Sequence, residues 1–279
     1  MTGLGDGHVR FRNPPAVETL QGVFFRSLPH FTCAHQVLLW AECFRQEFPL
    51  VEEKGCLEQI EERFGDGVLS TPTIRWKVSD RPETPRIWAR SENGNNVLQI
   101  QRDAILTNWL KLGLEDEYRN YEVRRVDFEI KLRMVDQFLR RENLGELEPT
   151  SCLLTYVNHV TIDSLAKEPE AAAEIFAFWS NETSEGWLPK PDHLAVNVSY
   201  PMGANKGRLN VSVVPAIHTG SGGQSFIMKF ELAARGRPEQ NTIESALAWL
   251  DLGHEWIVKG FVDITRKQWH AIGKWERFT

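Results

Sequence analysis

The sequence predicts an α+β fold of two topologically similar halves, residues 1–148 and 149–279, forming one compact unit with a mainly antiparallel sheet and helices packed on one face. Three observations predict it. The order strand, helix, strands, long helix is traversed twice. Consecutive strand patterns are joined by short turn-forming stretches, which return the chain as hairpins. The helical patterns are not interleaved one-for-one with strands, as a doubly wound parallel sheet requires. No residue-level repeat accompanies the repeated order, so the duplication is one of topology.

In the first half, Gly22 to Phe25 reads as a strand and Thr32 to Phe48 as a helix, because Val37, Ala41, Phe44 and Phe48 recur at helical spacing before Pro49. A charged connector leads to a candidate strand at Thr73 to Val78. Next come Arg86 to Arg90 and a long strand from Val97 to Trp109, joined across Asn93-Gly94, whose positive backbone angles suit a tight turn. A helix from about Glu117 to Arg141 carries Tyr121, Phe128, Leu132, Val135 and Leu139 on one stripe, with Gly145 as its stop signal. In the second half, Ser151 to Val160 is a strand and Pro169 to Trp179 a short helix. Strands follow at His193 to Tyr200, Arg208 to Ile217 and Ser225 to Ala233, then a helix from Thr242 to Ile264 and a Trp-rich tail.

Composition narrows the functional classes. Hydrophobic residues at 42% and charged residues at 25% are ordinary for a globular chain, which removes disordered and fibrous classes. Ten Trp and fifteen Phe call for a ring-rich core or for aromatic anchors at a binding surface. A net charge of −6 argues against direct nucleic-acid binding, which needs clustered cations. The basic residues Arg124, Arg125, Lys131, Arg133, Arg140 and Arg141 are interleaved with acids that supply ion pairs along a solvated helix face. Cys33, Cys43, Cys56 and Cys152 lack C-x-x-C spacing, and no apolar run is long enough for a membrane span. Neither a basic start nor an apolar targeting segment is present. Together these predict a reduced cytoplasmic protein with no membrane association.

Within the long strand, alternation puts Gln99, Gln101 and Asp103 on one face and Leu98, Ile100 and Arg102 on the other. The amides and carboxylate can line a groove between strand and helices that reads a polar ligand, or they can be architectural. Arg102 then needs a partner, such as an acid of the following helix. His254 shares a stripe with Leu250, Ile257 and Phe261, as a satisfied core histidine does, and no nucleophile stands at a diagnostic distance. His159 and Asp163 lie roughly 13 Å apart along an extended chain, too far for a local metal pair. Gly220-Ser221-Gly222-Gly223 joins strand to strand and is followed by no helix, so it is a hairpin loop and not a phosphate loop. The tail residues Trp269, Trp275 and Arg277 either pack back over the sheet or dock another chain. No catalytic residues, metal ligands or cofactor are assigned.

Three segments carry a family resemblance: Asn13-Pro14-Pro15-Ala16-Val17-Glu18; Gln99-Ile100-Gln101-Arg102-Asp103 followed by Asn108-Trp109; and His254, Phe261, Ile264-Thr265 and Trp275-Glu276-Arg277. Together they resemble a sporadically distributed family of bacterial and archaeal proteins of similar length with no established activity. The resemblance spans essentially the whole chain and carries over no catalytic residue. Its patchy distribution implies an accessory gene, as in defence or toxin–antitoxin loci. The leading expectation is a non-enzymatic binding protein that acts with an operon-encoded protein partner and can also form a homo-oligomer. The alternatives are a small-ligand sensor or enzyme with a pocket near Gln99, Gln101, Asp103 and His254, and a nucleic-acid-binding protein.

Overall fold

Apolar side chains of one parity gather on one face of the sheet, and the helices cover that face. The computed structural model describes residues 10–12, 14–59, 85–113, 116, 118–162, 168–180, 187–220, 223–272 and 276–278. The candidate strand Thr73–Val78, Asp163, Ser221, Gly222 and Trp275 lie outside them. A short pair, β1 (Arg10–Arg12) with β11 (Glu276–Phe278), joins the two ends of the chain antiparallel.

The main sheet has nine strands, all antiparallel: β2 (Ala16–Phe25), β3 (Leu50–Lys54), β4 (Arg86–Arg90), β5 (Asn96–Gln101), β6 (Ala104–Leu110), β7 (Pro149–Ile162), β8 (Val196–Met202), β9 (Gly207–Gly220) and β10 (Gly223–Gly236). Their spatial order is β3-β4-β5-β6-β2-β7-β10-β9-β8. Each half places its first strand at the centre, its last strand beside it, and the rest outward in reverse chain order. The two halves meet where β2 pairs with β7. The repeated order read from the sequence is therefore a repeated topology, with one more strand in the first half.

Residues of one parity, among them Val23, Ile105, Leu98, Leu154, Phe230 and Val211, join a single large core. Among the described residues the opposite parity supplies a small cluster of Phe24, Ala104 and Leu106. Over the large core lie the two long helices, α2 (Tyr121–Arg141) and α4 (Ile243–Ile264). Asn120 caps α2 by accepting from Val123 N at 3.2 Å, and Thr242 caps α4 by accepting from Ser245 N at 3.2 Å. Three short helices complete the described set: α1 (Cys33–Leu39), α3 (Glu168–Ile175) and α5 (Lys267–Ile272).

Two local expectations are corrected. The first helix does not keep the stripe from Val37 to Phe48. A π-helical turn at Trp40–Phe44, closed by Arg45 N donating to Trp40 O at 2.8 Å, inserts an extra residue per turn. The phase shifts there, leaving Val37 46% exposed while Phe44 and Phe48 are buried. On α2, Arg125, Arg133 and Arg140 do form i,i+4 ion pairs with Glu129 and Asp136. Lys131 also pairs i,i+4 with Asp127 at 2.7 Å, but it and Arg124 are not on a solvated face: both share the buried side of the helix with Phe128 and Val135. Among the described residues no helix is long and apolar enough to cross a membrane.

Candidate functional site

The stretch from Val97 to Leu110 is two strands. β5 ends at Gln101, Arg102 and Asp103 make the turn, and Gln101 pairs with Ala104. The reason lies in parity. A continuous strand would carry Arg102 into the core with Leu98 and Ile100, whereas a two-residue turn expels it and brings Ile105 and Trp109 to the core face. Arg102 reaches no acid of the following helix; its Nε and Nη2 donate to the carbonyls of Leu28 and Pro29 at 3.3 and 3.1 Å.

Gln99 and Gln101 do share a face, but it is the one turned away from the helices. Both are buried, at 1% and 2% exposure. Gln101 Nε2 donates to Leu57 O at 2.9 Å and to Asp103 Oδ1 at 2.7 Å, and its Oε1 accepts from Leu57 N at 2.7 Å. Arg86 Nη1 donates to Gln99 Oε1 at 2.7 Å, Gln99 Nε2 to Asn108 Oδ1 at 2.6 Å, and Asn108 Nδ2 to Glu18 Oε1 at 2.6 Å. Every polar atom of these three amides is thus engaged by the protein itself. Among the described residues no groove lies between this face and the helices, because the helices cover the other side.

His254 and Trp109 belong to a second polar assembly, beneath α2 and α4. Trp109 packs edge-on against Tyr118, centroids 5.6 Å apart. His254 stacks on Tyr121 at 4.0 Å, and its Nδ1 is 3.0 Å from the Tyr156 hydroxyl. Tyr121 donates to Asp251 Oδ1 at 2.8 Å. Arg124 donates to Thr19 Oγ1 and, at 3.1 Å, to Thr19 O. No carboxylate of the described residues lies within ion-pair distance of its guanidinium, and burial pushes its pKa down. Burial also raises the pKa of Tyr118 and of Tyr156, which keeps both hydroxyls neutral. The adjoining cleft, lined in part by Gln21, Thr107 and Arg119, holds about 30 Å³, room for roughly one water. Buried Gln21 Oε1 has no partner among the described residues, so a water there would complete it. This assembly orients helices on a sheet, and among the described residues its cleft of about 30 Å³ is too small for an organic substrate.

Space of that size exists elsewhere. A groove of about 560 Å³ opens between α4 and the outer strands of the second half. Trp256, Gly260 and Ile264, four residues apart along α4, form one wall. Tyr200 of β8 and Leu209 of β9 form the other, and Phe178 closes one end. Glu255, Lys259 and Asp263, each one residue earlier, run along the rim. A Cβ at Gly260 would stand 2.7 Å from Leu209 Cδ2, so glycine lets α4 approach the sheet this closely. Phe178 is held because the end of α3 docks on the end of α4: Ala177 N donates to Ile264 O at 2.7 Å and Arg266 N to Ile175 O at 2.8 Å. Phe178 itself stacks on Phe176 at 5.4 Å. Of the rim charges, Lys259 pairs with Glu255, whereas Asp263 has no ion pair among the described residues. Sequence reading missed this groove. Its only linear trace is the pair of i,i+4 rows on α4, one aromatic to small to aliphatic and one charged.

Of the remaining site candidates, Trp269 lies on α5, partly buried against the core. Arg277 lies on β11, whose backbone pairs it with Phe11. Trp275 falls outside the described residues. The His159 and His218 rings meet at 5.3 Å across the open face of the sheet, but no group of three metal-binding side chains occurs among the described residues. The sequence matches no protein-family model and no curated protein.

Proposed function

We propose that the chain is a non-enzymatic binding protein, an accessory factor that acts with an operon-encoded protein partner of a bacterial defence or toxin–antitoxin module. The groove takes large apolar side chains of an extended polypeptide segment lying along β8. The observation that carries this reading is the continuity of an aromatic-walled groove with a sheet edge that no described strand covers. β8 ends the nine-stranded sheet, and Tyr200 on it lines the groove.

The chemistry of the edge fits strand addition. Pro201 has no N–H, so its position in β8 demands that its nitrogen face away from β9. By alternation Asn197 and Ser199 turn their backbone N–H and C=O groups to the same open side. A segment pairing there delivers every second side chain toward the groove, where backbone bonds supply affinity and the apolar walls supply selection. The groove volume falls within the roughly 300–1,000 Å³ of ordinary binding pockets.

The test is coexpression with the product of the adjacent gene, followed by titration of the purified pair. Tyr200→Glu, a charge in the groove wall, is expected to weaken the complex at least about tenfold, as loss of an aromatic anchor does. Unchanged affinity in Tyr200→Glu, or no association with the neighbour, overturns the reading.

A further inference from the structure

The strongest unpartnered apolar feature on this surface is carried by the chain itself. Trp187 is 95% exposed and Leu188 76% exposed, more than any other large hydrophobic residue described. The segment that bears them runs directly into β8. Large apolar groups held in water and an aromatic-walled groove on the same chain are complementary halves of one contact, and among the described residues the groove lining does not include Trp187 or Leu188.

Resting on the groove reading above, we infer that, when the operon-encoded partner is absent, a second copy of this chain occupies the same groove, which the partner then takes by displacing it. Trp187 and Leu188 of each copy enter the groove of the other, about a two-fold axis. Such an arrangement is isologous: one anchor and one groove per copy are all used, and the assembly closes at two.

Four features of the sequence and structure support that occupant. The groove walls Phe178, Tyr200 and Trp256 offer ring faces and edges to an indole. Lys190, two residues beyond Leu188, is exposed and has no ion pair among the described residues; Asp263 on the rim is its unpaired counterpart. Pro189 and Pro191 restrict the anchor segment, so less conformational freedom is lost on docking. The area suffices as well. Each indole removes about 200 Å² from water and its groove a similar amount, so two contacts reach roughly 800 Å². Leu188 and the adjoining chain then carry the total past the roughly 1,000 Å² that a specific interface requires.

The experiment is sedimentation equilibrium on the full chain and on two variants, Trp187→Ala, which keeps the groove, and Tyr200→Glu, which keeps the anchor. The wild type is expected to be a dimer. Each variant loses both copies of one component, roughly thirtyfold per contact and so roughly a thousandfold in Kd. Mixed one to one, the two variants should form a heterodimer through the single contact that still has an intact anchor and an intact groove. Recovery in the mixture also demonstrates that both variants are folded, and melting curves within a few degrees of wild type provide a second check. A wild type still monomeric at roughly 100 µM, a dimer indifferent to Trp187→Ala, or no heterodimer in the mixture overturns the inference. If self-association fails while Tyr200→Glu still abolishes binding of the neighbouring gene product, the groove reading stands and only the second copy is refuted. If neither association responds to Tyr200→Glu, both fall.

Discussion

Replacing Gln101 with Ala separates an architectural amide from a ligand-reading one. The side chain makes three hydrogen bonds, two of them to the backbone of Leu57, and is 2% exposed. At a net 0.5–1.5 kcal/mol each, three bonds are worth about 3 kcal/mol. Leu57 is only half-buried, so water can reach its freed N–H and C=O, which draws the expected loss down to about 2 kcal/mol. In a chain of this size that lowers Tm by about 3–4 °C. Asp103→Ala removes one of the three bonds and should cost about 1 kcal/mol. The double variant should fall short of the sum, because the bond between the two side chains is counted in both single losses. Urea and thermal denaturation of the four proteins measure all of this. A Gln101→Ala protein melting within about 1 °C of wild type, yet deficient in partner binding, would refute the architectural reasoning and return the amide to a binding role.

Two further outcomes follow from close contacts and charge. At Gly236 a Cβ would stand 2.1 Å from Lys206 O and 2.8 Å from Gly207 Cα, both backbone, so Gly236→Ala should cost about 3 kcal/mol or more. Gly203→Ala, with nothing within 4 Å, should be near neutral, and equal melting temperatures for the two would contradict the packing. Burial lowers the pKa of His159 below 6.5, with His218 and Lys229 adding repulsion. The unfolded chain then takes the proton first as pH falls, so stability is lost on descending from 6.5 toward the folded value and is regained above it. His159→Gln should flatten the dependence of the urea midpoint between about pH 8 and about pH 5; an unchanged slope would show that this residue does not contribute.

The long helices were legible because cap and period agree: Thr242 precedes a run whose apolar residues keep one face to Ile264, and α4 spans Ile243–Ile264. Strands β7, β9 and β10 were legible from alternation. The edge strand β3 was not, because Leu50-Val51-Glu52-Glu53-Lys54 is open to water on both faces and so has no apolar period. Nor was the turn at Arg102-Asp103, which uses no glycine, asparagine or proline and takes no left-handed backbone angle. The shared face of Gln99 and Gln101 could be read from spacing. What buries it could not, since Leu57 arrives from a distant part of the chain. The groove depends on α3 docking against α4, a long-range event with no local signature.

Arg124 carries the least local information and the widest consequence. A helical wheel built on apolar residues passes over it, yet it sits on the buried side of α2 and contacts β2 through Thr19. Thr19 pairs with Tyr156 of β7, and Tyr156 reaches His254 of α4. The helices are tied again at the surface, where Arg125 meets Asp251 and Arg133 meets Glu244. Polar contacts therefore cross from one half to the other at the point where two similar topologies abut. Apolar contact there would hold the halves together without fixing their alignment, because it has no direction. Hydrogen bonds have direction, and a buried network satisfied in one arrangement disfavours every other. The cost of desolvating a guanidinium without a carboxylate is then set against the loss of competing registers between β2 and β7. On that reasoning His254, which the sequence reads as a satisfied core histidine, and the tyrosines around it hold α4 at the angle that leaves its last three turns standing over β8 and β9, and so shape the groove from a distance.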